Sequence, residues 1–468
     1  MPPDSTRFRL PHPVVLLGAA VLVAAILTWI LPAGQFDRRD DAATGRRVVV
    51  AGTYHRTEGS PVGPFAAAVA VPRGFVAGAD VIALVLLVGG AWVVVDRLGT
   101  LPAVVAWLVA RFESRGLWVI PLVALFFGVM GALENMQEEI IPLVPVLMAL
   151  GVGIGVDAIT VVAMSAGAAM VGSAFGPTNP FQAGIALKLA QLPPLGRGGL
   201  RLTMFLIGLA LWIAWTMRHA VKYRIRLPPP PKLWRTAETL AEAGQPDVGE
   251  VRKPDTKAAV GGRHALVMTV VLAPMAAYVY GALRFDWGLN ELSGAFLVGG
   301  IAAGLIGGFS LTQTVTTYVD GMTTVLPAAM MVGLARSISL VLEDGRVVDT
   351  MLNAFVTPLA HVPRVASALL MIPLQGIIHI AVPSVSGQAV LTMPLFVPVA
   401  DLLGFSREVA VLTYQTGAGL MEMVSPTNGA IMAILLAAGV PLQRWLRFAL
   451  LGIGALVLVG VIASAIAL

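Results

Sequence analysis

The tripeptide Pro-Thr-Asn stands twice in this chain, each time inside an apolar stretch of helical length: Gly176-Pro177-Thr178-Asn179-Pro180 and Ser425-Pro426-Thr427-Asn428-Gly429. Proline removes a backbone donor and clashes with the preceding turn, and the neighbouring glycine frees φ and ψ. In a bilayer such a break survives only where the freed backbone groups face protein or a wet cavity. Matched breaks in two halves of one membrane protein point to a transporter's binding site.

The surrounding sequence has membrane composition. Of 468 residues, 57% are hydrophobic and 12% charged, against roughly 25% charged in soluble domains. Many windows exceed the ~18 uncharged residues that read as a span. The expected fold class is an all-α polytopic membrane protein. The formal charge of +5 does not argue for a nucleic-acid partner, because the basic residues sit in loops and serve topology. There is no cysteine, which excludes disulfides, thiolate metal sites and thiol nucleophiles. The apolar stretch Pro13–Leu31 follows Arg7 and Arg9 and is longer than a signal-peptide core, so it reads as a retained first helix.

Five regions are expected along the chain: 1–75, an N-terminal helix and a polar extracytoplasmic loop; 76–217, a first repeat; 218–263, a basic linker; 264–321, connecting helices; and 322–468, a second repeat. The linker carries Lys222, Arg224, Arg226, Lys232, Arg235, Arg252, Lys253 and Lys257, which places it, with the N-terminus, in the cytoplasm of a bacterial inner membrane. An even number of crossings must then separate the two. Segment 116–150 is too long for one span and carries the polar knot Glu134-Asn135-Met136-Gln137-Glu138-Glu139. Treated as a re-entrant hairpin it crosses nothing, and the count closes.

The second half repeats the plan. Segment 366–402 carries a knot at Pro383-Ser384-Val385-Ser386-Gly387-Gln388, and prolines follow each knot (Pro142 and Pro145; Pro394 and Pro398). The descents are expected to end at Leu150-Gly151 and Leu403-Gly404, ahead of broken helices at 158–192 and 409–440. An odd number of crossings between matching elements makes this an inverted repeat.

The order of span, hairpin, broken helix and span resembles the ion transporter superfamily. Within it the chain resembles the YfcC-like branch of the anaerobic dicarboxylate carrier (DcuC-type) family. The resemblance rests on Pro61–Phe65 with Pro72-Arg73-Gly74-Phe75, on Gln137-Glu138-Glu139, on Gly333-Leu334-Ala335-Arg336, on Ser386-Gly387-Gln388-Ala389 with Thr392-Met393-Pro394, and on Ser425-Pro426-Thr427. It implies secondary transport of small carboxylates or amino acids on an inverted-repeat fold in which hairpin tips face broken helices and enclose substrate and ion. Some members are basic amino acid or arginine/ornithine antiporters, others dicarboxylate carriers. Related carriers are often dimers, and the sequence is compatible with a homodimer.

The residues themselves supply a candidate site. Broken helices offer amides to an anion and carbonyls to a cation. Thr178, Asn179, Thr427 and Asn428 add oxygens suited to an alkali ion, with Ser173, Gly176, Ser425 and Glu422 beside them; a packing kink is the simpler alternative. Asn135, Gln137, Ser384, Ser386, Gly387 and Gln388 at the tips can cap half-helices or touch substrate. Glu138 and Glu139 have no counterpart at the second tip; a carboxylate there pairs with a cationic substrate group or carries a proton, unless the knot lies in solvent. Arg336, inside an apolar span, holds a substrate carboxylate or pairs with Glu422 or a hairpin glutamate. His379 reads as a core histidine. Coupling ions are sodium, favoured by the Thr and Asn oxygens, or protons, permitted by the carboxylates.

Other classes lack their signatures. There is no Gly-x-x-x-x-Gly-Lys-Ser/Thr, no His-Glu-x-x-His and no Gly-x-Ser-x-Gly, which disfavours an ATP-driven pump and a polytopic membrane hydrolase. The expected function is secondary transport without a cofactor, of amino acids or, alternatively, of four-carbon dicarboxylates.

Overall fold

Long helices dominate because the apolar stretches leave no other way to satisfy their backbone groups in lipid. A computed structural model of the chain describes residues 13–41, 46–101, 103, 116–193, 195–224, 261–285 and 287–468. Arg7, Arg9 and most of the basic linker lie outside the described residues. Among those described, nine helices are long and apolar enough to cross a membrane, from Ala79–Arg97 to Leu442–Ala467. Two shorter apolar helices, Val14–Ile30 and Pro64–Ala77, accompany them.

The polar loop expected within 1–75 is more ordered than that. Gly34–Gln35 pairs antiparallel with His55–Arg56, and Arg38–Asp41 with Arg46–Val49. Val48 and Val49 are buried and their strand packs on the helix Val385–Leu402. Asp349 pins this cap, accepting from Phe36 N and from the Arg38 guanidinium, each at 3.0 Å. The helix Pro64–Ala77 then starts with proline in its first turn and tolerates Pro72 inside. The strands are only two to four residues long and read Gly-Gln, Arg-Arg-Asp-Asp, Arg-Arg-Val-Val and His-Arg, without the apolar/polar alternation that announces a strand.

The first hairpin rises as Val119–Glu134, turns, and returns through a 3₁₀ segment Glu138–Leu143 into Val144–Ile154. Its descent continues past the expected Leu150-Gly151 and stops at Gly155, whose φ of +77° suits glycine. The second hairpin is Arg364–Ala381 and Val385–Leu402, stopping at the expected Leu403-Gly404. The broken helices are Ala158–Phe175 with Ile185–Leu189, and Arg407–Met421 with Gly429–Ala437.

Each hairpin's first arm packs on the first part of the broken helix that follows it. The contacts are as close as backbone allows. A Cβ on Gly172 would sit 1.9 Å from Gly128 O, and one on Gly417 would sit 2.2 Å from Ile372 O. Small residues at such crossings let membrane helices pack without a hydrophobic drive. The 34-residue helix Leu311–Asp344 overruns the expected span and lies along Pro64–Ala77, Ala79–Arg97 and Gly429–Ala437.

Candidate functional site

Both breaks form for the same local reason. After Phe175 the chain leaves the helix at Gly176, and Asn179 caps the restart, its Oδ1 accepting from Phe181 N (2.9 Å) and Gln182 N (3.0 Å). After Met421 the chain turns, and Asn428 Oδ1 accepts from Ala430 N (2.9 Å) and Ile431 N (3.2 Å). These are N-caps placed where prolines have ended the preceding helix. The threonines are matched too. Thr178 Oγ1 donates to Ala132 O at 3.1 Å and Thr427 Oγ1 to Ile380 O at 2.8 Å, in each case near the end of the hairpin's first arm. Each tip therefore meets the break that follows it.

Between the tips and the second break lies a cavity of about 420 Å³. Asn135, Gln137, Glu138 and Glu139 line it from the first tip, and Ser384 and Ser386 from the second. Glu422, Thr427 and Asn428 contribute from the second break and Arg336 from the long helix. The remaining expected residues do not line it. Ser173, Asn179, Gln388 and Ser425 are fully buried beside the tips and breaks, Gly176 is buried at the first break, and Thr178 is exposed away from the cavity. Gly387 adjoins the cavity wall without forming it.

Charge in this cavity is of both signs. Arg336 is exposed to it, and among the described residues makes no ion pair within 4 Å. Among the described residues no ion pair joins it to Glu422, while its charge acts on the Glu138 carboxylate of the first tip. Glu422 instead accepts from Gln137 Nε2, and Glu139 Oε2 accepts from Gln137 N at 3.0 Å. Gln137 thus ties the first tip to the second break. Asn135, at φ 58°, adopts the left-handed conformation that asparagine tolerates.

Sequence reasoning passes over several residues here. Asp80 and Trp287 also line the cavity; Asp80 opens a helix and gives no sign of facing inward. Arg201 and Glu408 form a buried ion pair at 2.6 Å, and Arg201 Nε donates to Gln415 Oε1 at 2.9 Å. Gln415 Nε2 in turn donates to Ala174 O at 3.2 Å, beside the first break. An arginine within an apolar stretch was the available signal, but its partners lie in the other half of the chain.

Long apolar helices, two of them interrupted around an internal polar cavity, define an all-helical multi-pass membrane protein. The chain belongs to the DcuC family, described as C4-dicarboxylate anaerobic carrier, which matches residues 10–468. It is a secondary transporter of that family and not an enzyme. It is 27% identical to the Escherichia coli K12 protein named "Putative basic amino acid antiporter YfcC", over 94% of this chain and 93% of that one. A Haemophilus influenzae protein is 25% identical over 97% of this chain and 96% of its own. Among solved structures, the YdaH transporter of Alcanivorax borkumensis aligns at 16% identity and TM-score 0.41, covering 97% of this chain and 98% of that one. MtrF of Neisseria gonorrhoeae aligns at 14% and 0.42, covering 97% and 95%.

Proposed function

We propose that the chain moves small carboxylate-bearing solutes, foremost amino acids with a cationic side chain, by alternating access around the cavity between tips and second break. The observation that carries this reading is the cavity's paired polarity. Arg336 lines the cavity together with Glu138, Asp80 and Glu422, and among the described residues it makes no ion pair within 4 Å. An unpaired guanidinium offers a bidentate seat for a carboxylate, and the carboxylates offer seats for an α-amino group and a second cation. Basic amino acid antiport, the activity in the name of the E. coli relative, suits that pattern.

In this reading the hairpins are re-entrant and the two halves form an inverted repeat, with the domain boundaries expected above. Contact of each tip with a break inside a helix supports mid-membrane tips. The N-terminus and basic linker then face the cytoplasm of a bacterial inner membrane, and the functional unit is a homodimer. Four-carbon dicarboxylate transport is the second reading. It is favoured by the family's description and by Arg336 together with the Asn428-capped helix start, both of which suit anions.

Counterflow in proteoliposomes loaded with L-arginine, L-ornithine, succinate or fumarate tests this. Saturable exchange of L-arginine or L-ornithine is expected, with at least a tenfold loss (about 1.4 kcal/mol) in Arg336→Gln. Exchange of dicarboxylates alone would move the assignment to the second reading, and non-saturable conductance would remove the carrier reading altogether.

A further inference from the structure

The wall of the cavity holds a polar pair whose hydrogen-bonding arithmetic does not close without one extra proton. His379, in the last turn of Arg364–Ala381, has no exposed surface. Its Nδ1 lies 2.9 Å from Gln388 Oε1. The orientation of that amide is fixed from behind, because Gln388 Nε2 donates to the backbone carbonyl of Gln375 at 2.8 Å and to its Oε1 at 2.7 Å. A backbone carbonyl only accepts, so the Gln388 oxygen must face His379 and Nδ1 must carry the hydrogen. Nε2 is thereby left with a bare lone pair. Among the described residues it has no hydrogen-bond partner, and it faces Glu422 Oε1 at 4.0 Å.

On the far side, Glu422 Oε2 accepts from Gln137, and among the described residues no group donates to Oε1. Two acceptors thus face each other in a buried place, where unpaired polar groups are costly. One proton on Glu422 Oε1, pointing at the bare Nε2, makes the pair complementary. The other titratable or charged groups around Glu422 do not supply it. Glu138 and Glu139 from the first tip and Asp80 in the cavity lining are acidic, Tyr414 on the preceding helix donates to Val385 O, and Arg336, also in the lining, makes no ion pair to it among the described residues. From Leu442–Ala467 the Trp445 indole donates to Met423 O at 2.7 Å.

We propose that His379 and Glu422 form a proton-binding site in the cavity wall, and that the proton held there is the ion coupled to transport. Glu422 presents one edge to His379 and another to the cavity, so a substrate's cationic group and the proton compete for one carboxylate. The exchange is balanced. A proton from hydronium on one side forms an O–H bond on the Glu422 carboxyl, and when a cationic substrate group arrives that bond breaks and the proton returns to water. The direction is counter-movement of proton and cationic solute. That consequence rests on the proposed transport site, whereas the proton site stands on geometry alone.

Infrared difference spectroscopy of the full-length protein, titrated between about pH 5 and pH 8 without any substrate, tests it. A carboxylic-acid carbonyl band is expected to titrate in this window in the wild type and to vanish in Glu422→Gln. In His379→Gln its midpoint should be displaced by about one pH unit or more. A band unchanged in Glu422→Gln, or a midpoint unmoved in His379→Gln, overturns the proposal, and the second variant decides should the first fail to fold. Absence of L-arginine counterflow with the infrared result intact would remove the substrate reading and leave the proton site standing.

Discussion

The two Pro-Thr-Asn breaks share a cap and a threonine contact, yet they differ in what their asparagine amides do. Asn179 Nδ2 is consumed inside the protein: it donates to Asn135 Oδ1 at 3.0 Å and to Ser173 Oγ at 3.2 Å, and Ser173 Oγ also donates to Asn135. Asn428 Nδ2 has no protein partner among the described residues and its residue lines the cavity. Likewise Thr178 lies away from the cavity and Thr427 lies in its wall. The first break is knitted shut by the tip before it. The second is capped just as well and left open on one side. A symmetric sequence motif thus supplies one structural joint and one candidate binding surface, and the asymmetry comes from the tips. Asn135 closes the first, whereas no side chain of the Pro383–Gln388 turn bonds to Asn428.

The largest effect is expected where the first half is tied to the second. Arg201 is wholly buried and bonded to Glu408, Gln415 and Leu195 O. Arg201→Met strands the Glu408 carboxylate and breaks the chain of contacts leading through Gln415 to Ala174 O. Removing one member of a buried pair costs about 3–5 kcal/mol. Thermal unfolding in detergent should fall sharply, and Glu408→Gln should restore part of the loss when combined with it. A single variant as stable as wild type would mean the two halves are held together elsewhere.

Next comes the comparison of the breaks themselves. Asn179→Ala and Asn428→Ala are each expected to abolish uptake while the protein still inserts, but by different routes. The first removes a cap and leaves Asn135 and Ser173 without their shared donor, about 2–4 kcal/mol. The second removes a cap alone, about 1 kcal/mol, together with an amide facing the cavity. Unfolding temperature should therefore drop clearly more for Asn179→Ala. In Asn428→Ala the stabilisation by added L-arginine should vanish instead. Equal losses of stability in the two variants would erase the distinction drawn between a closed and an open break.

Much of this was legible in the sequence. Hairpins and broken helices are visible because proline and glycine punctuate apolar runs, and their effect is local. Gly404 stopped the second hairpin where expected, but Leu150-Gly151 did not stop the first, because Gly155 supplies the left-handed residue four positions on. The cavity's membership was half legible. Glu138, Glu139, Glu422, Thr427 and Asn428 announce themselves as polar residues in apolar surroundings. What cannot be read is pairing. Gln137 with Glu422, Gln388 with His379 and Arg201 with Glu408 each depend on which helices meet, and spacing along one helix says nothing about that. For the same reason the sequence left Arg336 open between a substrate and a protein carboxylate, and it is the fold that brings it to the cavity wall.

The smallest predicted effect sharpens the comparison at its periphery, where each broken helix begins. Asp157 caps the first, its Oδ1 accepting from Thr160 N at 3.0 Å and Oδ2 lying 3.1 Å from His219 Nε2; Ser406 caps the second, accepting from Glu408 N at 3.2 Å. Only the first cap titrates. Burial pushes the Asp157 carboxyl up, but hydrogen bonds from His219 and Thr160, with the charge of His219, outweigh it and hold the group below its ordinary value of 3.8. A carboxyl depressed in the folded state contributes stability above its unfolded value and loses it as pH falls through the folded one. Asp157→Ala should therefore cost about 1 kcal/mol at neutral pH, and the gap to wild type should close as the medium is acidified below about pH 4. Ser406→Ala should cost a similar amount with no such closure, because a hydroxyl carries no titrating charge. Parallel acid profiles for the two variants would mean that Asp157 serves only as a neutral cap would, and that the beginnings of the two broken helices are equivalent after all.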